Sequence, residues 1–207
     1  MRYGLRVFHG HVPRQNPCQS ISDTNPAIKA VYEDFTSWKN GRAGAIFEKM
    51  GSCEIVNFTV ADNAIAGIEF SVVSNTNVDG EAYIKDAVVI GYTENDEGGK
   101  VYEPHGIITP RTENFWVKGA KFFNFTVTGS AALGSCSHCE HPSSTDSGAR
   151  TVRFERIYFN SDVLLKIKYQ YPFRDIYYDS DGKLTGLLPG SWCTNYWKHN
   201  EWAGKCE

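Results

Sequence analysis

The chain has 207 residues, with 21 Lys and Arg against 24 Asp and Glu and a formal net charge of -3. That length can bury a substantial core in one or two domains. There is no Lys/Arg-rich run to mark a nucleic-acid footprint and no apolar stretch of membrane-span length. The opening MRYGLRVFHGHVPRQ has no apolar core of a signal peptide.

In chain order, NPCQSISDTNP (residues 16–26) reads as a loop. The segment DFTSWKNGRAGAIF (34–47) is then rewritten without a gap, 23 residues on, as NFTVADNAIAGIEF (57–70). Phe35 meets Phe58, Thr36 meets Thr59, Asn40 meets Asn63, Ala43 meets Ala66, Gly44 meets Gly67 and Phe47 meets Phe70. YIKDAVVIGYTEN (83–95) reads as a further copy. Gly106-Ile107 would match Gly67-Ile68, and Gly4-Leu5 an earlier pass. NFTVTGSAALG (124–134) aligns with 57–67 as another copy and places Asn124 at the position of Asn57 and Asp34.

Inside each copy, short apolar alternations rich in β-branched and aromatic residues are broken by Asn, Asp or Gly. Spacing at i, i+3, i+4 does not persist, so strands are expected rather than helices. Three short strands per period of about 22 residues fit one coil of a parallel β-helix. A β-sandwich leaves the ungapped repeat unexplained, and the Leu frame of leucine-rich repeats is absent. The expected fold is all-β: a right-handed parallel β-helix with inserted loops and a Trp-rich C-terminal cap. Residues 1–207 form one module, coiled to about residue 165, with a hairpin and capping tail over 166–207. Phe35, Phe58, Val60, Ile68, Phe70 and Phe125 are expected inside. Thr36, Thr59 and Thr126 are expected outside.

Three segments interrupt the coils: SNTNVDGE (74–81), TENDEGGK (93–100) and GSCSHCEHPSSTDSGAR (134–150). TVRFERIYF then reads as a strand, and KIKYQYPFRDIYYDSDGKLTG as two strands around an Asp-Gly turn. The tail GSWCTNYWKHNEWAGKCE covers the open end of the stack, which would otherwise offer an unpaired edge.

Six cysteines are compatible with three disulfides. The expected pairs are Cys193 with Cys206 and Cys18 with Cys53, with Cys136 and Cys139 oxidised, to each other or to another cysteine. Closing the tail between Cys193 and Cys206 would contribute on the order of 3 kcal/mol in the chain-entropy model. Asn57-Phe-Thr and Asn124-Phe-Thr are glycosylation acceptors by rule; an Asn turned inward at a corner is the competing reading. Together these features point to an extracellular piece of a longer precursor, with a complete cytosolic protein as the alternative.

Cys136, Cys139, His138 and His141 have zinc-ligand spacing, against which stands oxidation of the thiols outside the cell. Asp179-Ser-Asp181-Gly resembles the start of a calcium loop but lacks the closing Glu; a turn supplied by Asp181-Gly182 is the simpler reading. Trp192, Tyr196, Trp197 and Trp202 suit a sugar platform or, more simply, a buried cap. His105, Arg111, Glu155, Asp175, Asp179 and Asp181 are the residues from which acid–base chemistry would have to be built. No pair of them converges by spacing, so no catalytic residue is assigned and no cofactor is required, calcium being the one candidate.

The runs GIITPRTENFWVKGAKFFNFTVTGSAALGSCSHCEHPSSTDSGARTV and KYQYPFRDIYYDSDGKLTGLLPGSWCTNYWKHNEWAGKC, with GSCSHC, TDSGARTV and YYDSDGKLTG as their most specific motifs, resemble the parallel β-helix region of the fibrocystin family. The resemblance covers most of residues 28–206. It implies a non-catalytic structural and recognition module in the ectodomain of a large single-pass membrane protein, at a cell surface and in some members a ciliary or flagellar one. Its implied partners are neighbouring domains of the same precursor, other surface proteins and glycans. Neither nucleic acid nor membrane insertion of this segment is implied. Related β-helix regions in hyaluronan-degrading surface proteins keep a polysaccharide-binding or polysaccharide-cleaving module as the alternative.

Overall fold

The computed structural model describes residues 1–7, 13–16, 18–20, 22, 24–25, 27–48, 52–71, 82–92, 104–109, 115–125, 131–135, 150–160, 167–168, 175–182, 188–198 and 201–206. Among these residues there are nineteen strands and no helix. After β1 (Tyr3–Val7) the strands come in threes: β2 (Ala30–Glu33), β3 (Thr36–Trp38) and β4 (Ala43–Glu48), then β5 (Cys53–Val56), β6 (Thr59–Ala61) and β7 (Ala66–Ser71). The next triplets are β8 (Ala82–Lys85), β9 (Val88–Ile90), β10 (His105–Thr109) and β11 (Phe115–Lys118), β12 (Lys121–Phe123), β13 (Ala131–Ser135). A last triplet follows, β14 (Arg150–Glu155), β15 (Tyr158–Asn160) and β16 (Ile167–Lys168), and then β17 (Asp175–Asp179), β18 (Ser191–Lys198) and β19 (Glu201–Cys206).

Every third strand joins the same sheet. The first sheet runs β1-β4-β7-β10-β13-β16, the second β2-β5-β8-β11-β14-β17, and the third β3-β6-β9-β12-β15. All these pairings are parallel. The 23-residue repeat is the register itself: Ala30 lies opposite Cys53, Thr36 opposite Thr59 and Ala43 opposite Ala66. Later passes are longer, with Cys53 opposite Ala82 and Ala82 opposite Phe115, because extra residues sit between strands and not within them. Gly4, Gly44, Gly67 and Gly106 align in one column, as the sequence pattern requires.

Alternation along each strand sends one set of side chains inward. Ile55, Ile84, Val117 and Phe154 are in register and fully buried. Phe58, Val60, Ile68, Phe70 and Phe125 are in the core, and Phe35 packs against it half-buried. Aromatic rings meet between passes: Phe47 and Phe70 are stacked 5.4 Å apart, Phe35 and Phe58 are tilted at 5.1 Å, and Phe70 and Phe115 meet edge to face at 5.5 Å. Such pairs add roughly 0.5–1.5 kcal/mol each beyond area burial.

Two corners recur. The first holds Asp34, Asn57, Asp86, Gly119 and Arg156, each the residue after its strand and each at a φ between 51° and 67°. The second includes Lys39, Asp62 and Asn124, again left-handed. Asn and Asp tolerate this region better than other side chains, which is why they punctuate the repeat. At the second corner an interior amide step replaces apolar packing. Asn63 Oδ1 accepts from the Asn40 backbone N–H at 3.1 Å and from Asn40 Nδ2 at 2.8 Å, both buried.

Several expectations are corrected by the register. Asn124 shares the second corner with Asp62, not the first with Asn57 and Asp34, and Gly67 aligns with Ala132, not Gly134. The 124–134 copy is therefore a coincidence of composition and out of phase. No threonine ladder of three forms: Thr36 and Thr59 are followed in their column by Val88 and Lys121. At the C-terminal end, Asp175–Asp179 is one strand whose antiparallel partner is Ser191–Lys198, not a strand immediately after the Asp-Gly pair. The tail does extend the second sheet, as an antiparallel β18–β19 ribbon.

The glycine column makes a stringent test. A Cβ at Gly67 would lie 2.7 Å from the Gly106 carbonyl oxygen and 2.9 Å from Val60 Cγ2. Gly67→Ala should therefore destabilise by about 1–3 kcal/mol in urea denaturation, as overpacking does. Deleting residues 43–65, one full pass, should keep strand circular dichroism and cooperative unfolding. Deleting 43–53 should abolish both, because it leaves the following strands out of register.

Candidate functional site

The sequence-derived site residues do not converge. Cys53 opens β5 on the inward side between Ala30 and Ala82 and is buried, whereas Cys18 is exposed, and both are free thiols. The expected Cys18–Cys53 bridge is thus not formed: one sulfur belongs to the core and the other to a surface loop. Burial pushes the Cys53 thiol up to about 12, which removes it from nucleophilic chemistry. Cys193 and Cys206 are cross-strand partners in the β18–β19 register. Cys136, His138, Cys139, His141 and Arg111 lie outside the described residues.

Asp179 falls in the inward column after Phe154 and is buried, ending an apolar row with a carboxylate. Asp181 faces the first corner, where its Oδ2 accepts from the Arg156 backbone N–H at 2.8 Å. The two acids thus serve different parts of the turn. No group of three or more potential metal ligands occurs among the described residues. Glu155 is paired with Lys118 at 3.1 Å and sits near Arg156. Asn57 is exposed, with its Nδ2 donating to Asp34 Oδ1 at 2.7 Å, while Asn124 is half-buried. The inward asparagines are Asn40 and Asn63 instead.

What the fold does bring together is a row on the outer side of the second sheet. Glu54, Tyr83, Trp116, Arg153 and Tyr178 are in register on consecutive strands, and the backbone register continues to Trp192. The Tyr83 and Trp116 rings are stacked, 6.2 Å apart and 8° from parallel. The Arg153 guanidinium lies over Trp116 at 5.1 Å and over Tyr178 at 5.6 Å. Two residues along, Lys85 and Lys118 form a second row. Lys118 Nζ sits 4.4 Å from the Trp116 ring centre, and Lys29 Nζ 4.5 Å from that of Tyr83. Glu54 bonds both Lys85 and Lys29; the Lys85 hydrogen bond is the main reason its carboxyl lies below the usual range.

This row escapes sequence reading because the strands carrying it are unevenly spaced. Ala-Tyr-Ile-Lys (82–85), Phe-Trp-Val-Lys (115–118) and Val-Arg-Phe-Glu (152–155) share one frame: apolar, aromatic or Arg, apolar, charged. That frame is the available signal. No family model matches the chain. No curated protein matches it either.

A second aromatic–cation group surrounds Tyr3, with Arg2, Arg6 and Arg42 over its ring. There two of the three charges are already consumed. Arg42 Nη2 donates to Glu69 Oε1 at 2.7 Å, and Arg6 donates from Nε and Nη2 to Glu48 at 3.2 Å. On the second sheet, by contrast, no carboxylate among the described residues pairs with Arg153, whose Nε is buried without an acceptor.

His105 opens β10 in the column of Ala43 and Ala66, with its Nδ1 buried and unpaired. Burial lowers its pKa from 6.5 to about 4, so the imidazole is neutral near pH 7 and does not act as a general acid there. The unfolded chain binds the extra proton first. The stabilisation is complete above the unfolded value and is lost as pH falls toward the folded one. Wild type should therefore lose up to about 3 kcal/mol between pH 6.5 and 4 through this residue. Urea denaturation of His105→Gln across that range should show a flatter slope; an unchanged slope would remove His105 as the cause.

Proposed function

We propose that this chain is a right-handed parallel β-helix segment of a fibrocystin-like cell-surface ectodomain. It acts as a non-catalytic rod that spaces neighbouring domains of its precursor and presents an outer face for recognition. The observation that carries the reading is the order of the sheets: each successive pass adds one parallel strand to all three in the same sequence. Parallel crossovers within a sheet are right-handed in nearly all proteins. A stack built this way grows by about 4.8 Å per pass and transmits its direction rigidly. The extracellular placement rests on the family resemblance and on the Cys193–Cys206 register, which suits a cross-strand disulfide in an oxidising compartment.

Catalysis is disfavoured by where the candidate groups lie. Asp179 is in the core, Asp181 caps a corner and Glu155 is ion-paired. The aromatic–cation row favours binding over cleavage within the alternative polysaccharide reading.

Three measurements test this. Far-ultraviolet circular dichroism of the purified chain should show strand and little helix, and a dominant helical signal would reject the stacked strands from which the rod is built. Non-reducing peptide mapping of secreted protein should recover Cys193 linked to Cys206 with Cys18 and Cys53 free, whereas six free thiols would reject the extracellular placement. Incubation with hyaluronan or pectin, with and without calcium, should release no reducing ends; turnover lost on mutating Asp179 or Asp181 would make the protein an enzyme.

A further inference from the structure

We propose that the outer face of the second sheet, centred on Trp116 and Arg153, binds an acidic polysaccharide laid along the stacking direction. The inference rests on the recognition reading above and names its ligand class.

Three features select that class. The first is shape. Tyr83, Trp116 and Tyr178 are half-buried on consecutive or near-consecutive parallel strands, so their rings form a row and not a pocket. From Tyr83 to Tyr178 the row crosses three interstrand steps, about 14 Å, and including Lys29 and Glu54 it lengthens by another step. Interstrand spacing is close to the advance of one ring in an extended sugar chain. A linear polymer can therefore repeat its contacts with the protein's own repeat.

The second is surface chemistry. Aromatic rings stacked in this way turn their faces to one another and to the cations, and present apolar edges with a hydroxyl or N–H to a sugar. Trp116 is the centre: Tyr83 stacks parallel to it, and Arg153 and Lys118 lie over it. This packing holds the rings in place before a ligand arrives, which lowers the ordering cost of binding.

The third is charge. Lys29, Lys85, Lys118 and Arg153 share this face with Glu33, Glu54 and Glu155, giving four cations against three carboxylates on a chain whose formal net charge is -3. Two of the corner acids are otherwise engaged, Asp181 by the Arg156 N–H and Asp34 by Asn57 Nδ2. Arg153 is the uncompensated group, and its planar fork suits a bidentate carboxylate or sulfate. A neutral glycan would leave that guanidinium without a counter-charge. Single-stranded nucleic acid also stacks on aromatics, but its affinity depends on many phosphate contacts, and one free Arg with paired lysines supplies few.

The test uses the purified full chain and four probes: oligogalacturonate for carboxylate sugars, heparin oligosaccharide for sulfate sugars, a cello-oligosaccharide as the neutral control, and an oligothymidylate. Titration calorimetry should show binding of at least one acidic probe at least tenfold tighter than the neutral one, and whichever acid binds better identifies the anion. Arg153→Met and Trp116→Leu should each weaken it tenfold or more. Arg153→Lys should fall between wild type and Met. Lys121→Ala, an exposed position on the third sheet, should change nothing. If either variant fails to fold, amide chemical-shift mapping on wild type decides, with shifts expected at Tyr83, Trp116, Arg153 and Tyr178. No acidic probe binding below millimolar, shifts located elsewhere, or tighter binding of the oligothymidylate would each overturn the proposal. Circular dichroism of the same sample reports the stacked strands separately, so failure of ligand binding and failure of the fold reading are distinguishable.

Discussion

Each pass of the chain finds its hydrogen-bond partners on the passes before and after it. Asn57 N donates to the Lys85 carbonyl and Asp86 N to that of Lys118 even at the corner, where a chain usually turns to water. Buried backbone groups left unpaired would cost on the order of 1–3 kcal/mol each. Insertions are therefore confined to the segments between strands, and positions sharing a column must suit one another. Gly44 and Gly67 have no room for a side chain because the neighbouring pass comes too close. Recurrent left-handed corners follow from the same demand, since the strands can turn there without losing their bonds.

Within that frame the interior is mostly apolar, and several of its polar exceptions are paired. Asn40 and Asn63 link two passes by an amide step. Arg42–Glu69 and Arg6–Glu48 link others at the outer side of the first sheet, with both glutamates almost fully buried. Burying one such partner alone would be strongly unfavourable, so each pair also helps select one register over its neighbours.

The outer side of the second sheet follows a different economy. There, stacked rings and alkyl-chain cations share a row in which not every charge is matched. In-register columns mean that a single aromatic becomes part of a ladder whenever the next pass offers another. A surface suited to a long, repetitive ligand can therefore arise by substitution at a few positions without disturbing the core.

Much of the architecture was legible before any coordinates. Ungapped identity at 23 residues marks a register with no room for slippage, and Phe58, Val60, Ile68 and Phe70 are core because alternation leaves them no other side. The identity of the corner at Asn57 and Asp34 follows from the same repeat. What only the tertiary structure decided is the phase of the longer passes. Residues 124–134 look like the repeat yet pair out of phase with it, because inserted residues shift the sequence count without shifting the hydrogen bonds. Local letters could not reveal that Asp179 closes an inward column, that Cys53 is core while Cys18 is surface, or that Tyr83, Trp116, Arg153 and Tyr178 share one row. These are properties of stacking. A column is read across passes of unequal length, and its members become neighbours only when backbone pairing selects which residues lie side by side.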